Sequence, residues 1–202
     1  MIEALLEFWF GPLDEAGLCA KARRQALFRA DPEFDAALAE HFGADVEAAL
    51  VGDRDEWASN PRGRAALVLL LDQLPRNLFR GSPKAFAGDA RALAHARAAV
   101  ASGDDRALPT EMRAFLYVPF EHAEAMDAQR EGVALLTGLR DAQAEGTEAW
   151  SAVDGYLHHA RDHAALIEAF GRFPHRNAVL ERTSTPEELE HLADDGRTFG
   201  QG

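Results

Sequence analysis

Residues 148–170 have the sequence EAWSAVDGYLHHARDHAALIEAF, and this stretch decides the fold class. Its apolar side chains recur every three or four positions over about five turns, the spacing of an α-helix that buries one face. The apolar stripe consists of Val153, Tyr156, Leu157, Ala160, Ala164, Ile167 and Phe170. The spacing therefore predicts one long amphipathic helix.

Similar spacing, with start and stop signals, predicts helices along most of the chain. The predicted segments are 2–9 before Gly11-Pro12, about 15–29, one opened by Asp31-Pro32, about 62–73 between Asn60-Pro61 and Pro75, one from Ser82-Pro83 to Ser102-Gly103, 110–143 with a break or kink at Pro119, and 186–193 after a Thr185/Glu188 capping box. The β-branched residues are too scattered to form alternating strands. We expect an all-α fold, a compact antiparallel array of about 8–9 helices.

Length and composition favour a single helical domain over residues 1–202, because 47% hydrophobic content supplies one sizeable core. Cys19 is the single cysteine, which excludes an internal disulfide and the familiar zinc frameworks and favours a reducing compartment. The first ten residues include Glu3 and Glu7 but no Lys or Arg, so no signal peptide is predicted. We therefore expect a cytoplasmic protein.

Charge and hydropathy exclude two classes of partner. A net charge of −13 disfavours nucleic acid and anionic membrane surfaces, which bind clustered Lys and Arg. The longest apolar runs, Ala65–Leu71 and Ala114–Phe120, are far shorter than the roughly 20 residues that span a bilayer. We expect no nucleic acid partner and no membrane association.

Two segments without acidic residues stand out from this background, LPRNLFRGSP at 74–83 and FGRFPHRN at 170–177. If they meet, their arginines form a positively charged patch, and the planar guanidinium suits bidentate binding of a carboxylate or phosphate. This pattern predicts a site for a small anionic molecule or an acidic peptide. The candidate ligand-binding residues are Arg76, Asn77, Arg80, Tyr117, Arg172, His175, Arg176 and Asn177. Alternatively, these arginines cap helices and pair with buried acids such as Asp72 or Glu121.

A third segment, FLYVPFEHAE at 115–124, places ionisable side chains beside a helical proline. Glu121 and His122 are candidate catalytic residues, since partial burial would move their pKa values towards neutrality and suit them to proton transfer. His163 is a third candidate. The alternative is that these polar groups satisfy backbone atoms released by Pro119.

The histidines His159 and His163 lie four residues apart, a spacing that lets two imidazoles bind one metal ion. No Glu follows His159, and no third ligand is fixed by spacing. His163 also falls on the apolar stripe, where a hydrogen-bonded core histidine is usual. We therefore predict no metal site and no cofactor.

Four motifs carry a resemblance to a known family: FWFG at 8–11, LDQLPRNLFRG at 71–81, YVPFEH at 117–122 and FGRFPHRN at 170–177. In this order and spacing they resemble the bacterial "domain of unknown function 924" family, over essentially the whole chain. Leu74 stands where the family often has Phe, and Ala123 where it often has Ser. The resemblance implies a tetratricopeptide-like α-α superhelix with degenerate repeats, and no established activity.

Three functions stay open at this point. The first is a binding module for a small anionic ligand or acidic peptide through the two Arg-Asn segments. The second is a small-molecule hydrolase in which Glu121, His122 or His163 moves a proton. The third is an interaction scaffold with a protein partner, in which the motifs only hold the fold together.

Overall fold

A computed structural model describes residues 1–194 and confirms the all-α fold. The α-helices are α1 (Ile2–Phe10), α2 (Lys21–Ala26), α3 (Pro32–Val51), α4 (Pro61–Leu71), α5 (Gln73–Leu78), α6 (Asp89–Ser102), α7 (Thr110–His122), α8 (Met126–Asp141), α9 (Glu148–Phe170) and α10 (Pro186–Asp194). Short 3₁₀ turns cover Asp55–Ser59, Pro83–Phe86, Asp104–Ala107 and Pro174–Arg176. Within residues 1–194, the one β-type pairing is an isolated bridge between Leu13 and Cys19.

The strongest helix predictions are confirmed. The amphipathic segment forms α9 over Glu148–Phe170, as its apolar spacing requires. Asn60 caps α4 by accepting from the backbone N–H of Gly63, with proline in the first turn. The predicted capping box opens α10, because Glu188 N–H donates to Thr185 Oγ1 at 3.2 Å and Thr185 N–H donates to Glu188 Oε2 at 2.8 Å.

The predicted helix at 15–29 is much shorter in the structure, where α2 covers Lys21–Ala26. Local hydrogen bonds at Asp14 explain the difference. Its side chain accepts from the backbone N–H groups of Ala16 and Leu18, each at 2.9 Å, and Gly17 takes a φ of 75°. An Asp side chain that binds the following backbone favours a turn over a helix.

Three prolines act differently from their predicted roles. Pro75 was expected to end a helix, but the chain turns at Asp72 and Pro75 lies in the first turn of α5, where its missing N–H costs no hydrogen bond. Pro119 lies inside α7, which continues to His122 before the chain turns into α8. Pro83 starts a 3₁₀ turn, and α6 begins only at Asp89.

The core is formed around α4 and α7. Every residue of α4 from Ala65 to Leu71 is buried, and α7 adds Phe115, Tyr117 and Phe120. α8 packs closely on α7, since a Cβ on Gly132 would lie 2.7 Å from Cβ of Phe120. Buried apolar residues from α1 to α9 form one contiguous cluster. Within the described part of the chain, no helix combines the length and apolarity needed to cross a membrane.

Candidate functional site

A cavity of about 220 Å³ opens beside α5, α7 and α9. Its polar lining comes from Gln73, Arg76 and Asn77 of α5, from Glu121 and His122 of α7, and from His159 and His163 of α9. The segment after α2 adds Phe28 and Arg29, and Arg80 follows α5. We call its more exposed residues, Phe28, Arg29, Arg80 and His159, the rim, and its buried residues together with His122, whose side chain is 12% exposed, the floor.

Three side chains meet at the floor: Glu121 and His122 at the end of α7, and His163 in the middle of α9. One potential ligand atom from each of them lies within 4.8 Å of those of the other two. Glu121 is 7% exposed, and its carboxyl group accepts no hydrogen bond from any residue in the described range 1–194. The fold therefore joins the three candidate catalytic residues at one point.

Both floor histidines are held by hydrogen bonds at Nδ1. His122 Nδ1 lies 2.7 Å from Asp72 Oδ1, and Gln73 Nε2 donates to the other oxygen of that carboxyl at 2.6 Å. His163 Nδ1 lies 2.9 Å from the carbonyl oxygen of His159. Because a carbonyl only accepts, Nδ1 of His163 carries the hydrogen, and Nε2 of the neutral ring carries the lone pair.

The buried floor changes the acid-base properties of these groups. Burial raises the pKa of Glu121 to about 8, with repulsion from Asp72 adding to the effect. Burial and repulsion from Arg76 lower the pKa of His122. Burial likewise lowers the pKa of His163 to about 3. Burial opposes ionisation of Asp72, yet its interactions with His122 and Arg76 hold its pKa below the ordinary value.

The two Arg-Asn segments meet behind the floor, at Asp89 in the first turn of α6. Arg76 donates to both Asp89 oxygens at 2.8 and 3.0 Å, and Arg176 donates to one of them at 3.2 Å. Both guanidinium groups also lie over the ring of Phe86, at 5.5 and 4.6 Å. Arg76 additionally approaches Asp72 Oδ1 at 3.4 Å. These contacts match the alternative in which the arginines pair with buried acids.

The other predicted ligand-binding residues divide into two groups. Asn77 and Arg80 line the cavity while they donate to Asp35, at 2.6 and 3.1 Å. The remaining five lie outside its lining: Tyr117, Arg172, His175, Arg176 and Asn177.

Each of those five has an identifiable setting. Arg172 and Asn177 both donate to Glu188. Tyr117 donates to the buried Asp105. The His175 ring lies 5.5 Å from that of Phe173, and burial lowers the pKa of His175 to about 3. Burial and repulsion from Arg76 lower the pKa of Arg176 to about 10.

Two rim residues were missed by the sequence analysis. Phe28 is 48% exposed although it is aromatic, and its ring stacks on Phe115 at 5.8 Å and on His159 at 6.2 Å. Arg29 is exposed and makes no ion pair with any residue of the described range. Both were placed inside a predicted helix, where nothing marked them. The Asp31-Pro32 cap just after them was the one sequence signal that the preceding helix ends here.

Asp72 and Asp89 were not predicted as site residues either. Asp72 lies in the motif LDQLPRN, and an acid at the end of a continuous apolar run is a signal that it is buried with a partner. Asp89 lies in an ordinary polar segment, GDARA, which resembles any exposed helix start. Only the tertiary fold shows that this acid joins two arginines.

Comparison with known proteins gives the chain a family. The sequence model described as a bacterial protein of unknown function, DUF924, matches residues 5–196. The chain belongs to this family. A solved structure, that of the protein of unknown function ATU0120 from Agrobacterium tumefaciens, is similar at 36% identity and a TM-score of 0.79. The match covers 95% of this chain and 96% of that one. No curated protein matches the chain.

Proposed function

We propose that this DUF924 protein binds a small anionic molecule in the cavity between α5, α7 and α9. One observation carries the proposal: a cavity with a basic rim ends on a buried polar floor. Arg29 and Arg80 lie at the rim, and Glu121, His122 and His163 lie at the floor. A concave site with a few convergent polar groups is the usual form of a ligand pocket.

The size of the cavity restricts the ligand. Its volume of about 220 Å³ lies below the roughly 300–1,000 Å³ typical of pockets for drug-sized molecules. A small metabolite fits this volume better than a peptide or a nucleotide. The exposed Phe28 ring offers an apolar face beside the rim, against which the carbon part of such a molecule can pack.

The charges of the rim favour an anionic group there. Arg29 has no carboxylate partner among the described residues, so its guanidinium can bind a ligand without breaking an existing ion pair. Arg80 donates to Asp35 at 3.1 Å, and its side chain is 26% exposed. Its positive charge at the cavity lining attracts an anionic group whichever of its N–H donors are engaged.

Thermal-shift and calorimetric titrations test this proposal. The ligands are simple mono- and dicarboxylates and phosphate monoesters, each compared with an uncharged analogue. We expect at least one anion to stabilise the wild type, and the Arg29→Gln and Arg80→Gln variants to bind it at least tenfold more weakly. The matched control is Arg97→Gln, because Arg97 pairs with Asp127 and Glu131 and does not line the cavity. Equal responses of the rim variants and the control would refute the proposal.

Hydrolysis in the same cavity is the second candidate, and the Asp72–His122 hydrogen bond is the observation that favours it. A carboxylate that orients an imidazole is a common arrangement for proton transfer in hydrolases. The test uses ester, amide and phosphoester substrates. Glu121→Gln should abolish turnover while affinity for the anion stays within about tenfold. Turnover that persists in this variant would exclude a catalytic role for Glu121.

A further inference from the structure

The floor of the cavity has the composition of a metal site, although the sequence predicted none. We propose that Glu121, His122 and His163 bind one divalent transition metal ion such as zinc. The ion would lie at the floor of the cavity, so this inference extends the proposed function and shares its site. It does not depend on the identity of the anion, because metal binding is measured without it.

The spacing of the three side chains suits one ion. Zinc binds imidazole nitrogen and carboxylate oxygen at about 2.0–2.2 Å, so ligands of one ion lie at most about 4.4 Å apart. One potential ligand atom of each side chain already lies within 4.8 Å of those of the other two, so a bound ion would need to draw them only slightly closer together. They come from two helices that pack against each other, α7 and α9. A rigid pair of helices is a suitable support for ligands.

The hydrogen bonds around the histidines also match a metal site. A ligating His almost always donates its second ring N–H to a carboxylate or a backbone carbonyl, which fixes the tautomer and the ring plane. His122 has such a contact with Asp72, and His163 has one with the carbonyl of His159. Both contacts use Nδ1, so each neutral ring has its lone pair on Nε2, the atom that would bind the ion.

The charged groups around the floor leave Glu121 available to a cation. The carboxylates of Asp72 and Asp89 balance the guanidinium groups of Arg76 and Arg176, so Glu121 would add one further negative charge when it gives up its proton to bind a metal ion. Asp72 and Asp89 form ion pairs with the arginines. Glu121 is only 7% exposed, and its carboxyl group accepts no hydrogen bond from a described residue. Buried carboxylates are normally paired or bound to a metal. A divalent ion would satisfy Glu121.

The ligand set indicates which ion would bind. Two imidazoles and one carboxylate suit zinc or another first-row transition ion, whereas magnesium and calcium prefer oxygen ligands alone. Three protein ligands leave at least one position open towards the cavity, which is the pattern of catalytic zinc sites. A water molecule or the anion itself can take this position. The ion would then give the cavity a second group that attracts an anion, opposite the rim.

The test is an isothermal calorimetric titration of the metal-free full-length protein with Zn²⁺. We expect one ion to bind, and Glu121→Gln, His122→Gln and His163→Gln each to weaken binding by at least 100-fold. The control is His159→Gln, which keeps the backbone carbonyl that holds His163 and should bind within threefold of the wild type. Circular dichroism shows whether each variant is folded. X-ray absorption on the zinc-loaded wild type should show two imidazole ligands, and this result needs no variant.

The outcomes separate the two proposals. Absence of zinc binding by the wild type, or retention of full affinity in folded His163→Gln and Glu121→Gln, would overturn the metal site. Loss of binding in His159→Gln alone would also overturn it, because the ion would then lie at the other histidine. Arg80→Gln should leave zinc affinity unchanged while it weakens the anion. A protein that binds zinc but no anion would refute the rim proposal and leave the metal site standing.

Discussion

Replacement of Asp89 by Asn should strongly destabilise the fold, because this carboxylate joins the two Arg-Asn segments. It accepts two hydrogen bonds from Arg76 and one from Arg176. Both arginine side chains are almost fully buried, with 9% and 6% of their surface exposed. An Asn side chain has nearly the same shape, so the substitution removes the charge and leaves the packing intact.

The expected cost follows from the burial of the two arginines. Removal of one partner from a buried ion pair costs about 3–5 kcal/mol, because the other charge is left without compensation. Asp72 forms an ion pair with Arg76, at 3.4 Å, but none with Arg176, so it does not replace Asp89 as the partner of Arg176. A domain of this size has roughly 5–15 kcal/mol of stability in total. The variant should therefore lose about a fifth or more of it, and its melting temperature should fall by roughly 6–20 °C.

Urea unfolding followed by far-ultraviolet circular dichroism measures this loss, since the signal reports the helices directly. The matched control is Asp154→Asn, because Asp154 pairs with Arg140 at 3.1 Å and its side chain is 40% exposed. The control should lose less than about 1 kcal/mol. If Asp89→Asn costs no more than Asp154→Asn at an unchanged denaturant slope, the two arginines do not depend on Asp89 and the reasoning fails.

Two further predictions concern helix packing and the response to pH. Gly132→Ala should destabilise the fold by about 1–3 kcal/mol because its Cβ would lie 2.7 Å from Phe120, whereas Gly138→Ala on the same helix meets nothing within 4 Å and should stabilise it by about 0.5–1 kcal/mol. Thermal melts of the pair check this, and equal shifts would contradict the close packing of α7 on α8. The hydrogen bond from Arg172 lowers the pKa of Glu188 from 4.5 to about 2, so its stabilising effect is present above pH 4.5 and is lost as the pH falls towards 2. The stability difference between wild type and Glu188→Gln should be roughly 1–2 kcal/mol at pH 6 and should vanish near pH 2, and a difference that does not change with pH would contradict this ion pair.

Elements with strong local signals could be predicted from the sequence. The stripe of α9 and the caps of α4 and α10 are decided by residues within a few positions of one another, so the sequence contains all the needed information. α2 and α5 depend on weaker effects. The Asp14 turn shortens α2, and Pro75 is tolerated because it falls in the first turn of a new helix. Residue spacing alone does not distinguish a proline that ends a helix from one that starts the next.

The residues of the candidate site were found more easily than their arrangement. The segments containing Arg76, Glu121 and His163 were all recognised as candidates, because charged residues beside apolar helices are unusual in a core. Their partners come from distant parts of the chain, so spacing could not supply them. Residue spacing identifies metal ligands only within one helix, and it indicated His159 and His163 of α9. The structure instead places Glu121 and His122 of α7 beside His163. The pairing across helices is a tertiary fact.

The position of Arg76 links the structural and the functional interpretations of the motifs. Its guanidinium binds Asp89, approaches Asp72 and also lines the cavity, and Asp72 in turn holds His122 at the floor. Substitution of Arg76 therefore disturbs both the buried ion pairs and the orientation of His122, and loss of binding in such a variant would not separate folding from function. Asp89 lies outside the cavity lining, and Glu121 accepts no hydrogen bond from a described residue. Variants at these two positions therefore separate folding from binding. Substitution of Asp89 tests whether its ion pairs hold the two Arg-Asn segments together, and substitution of Glu121 tests what the cavity binds.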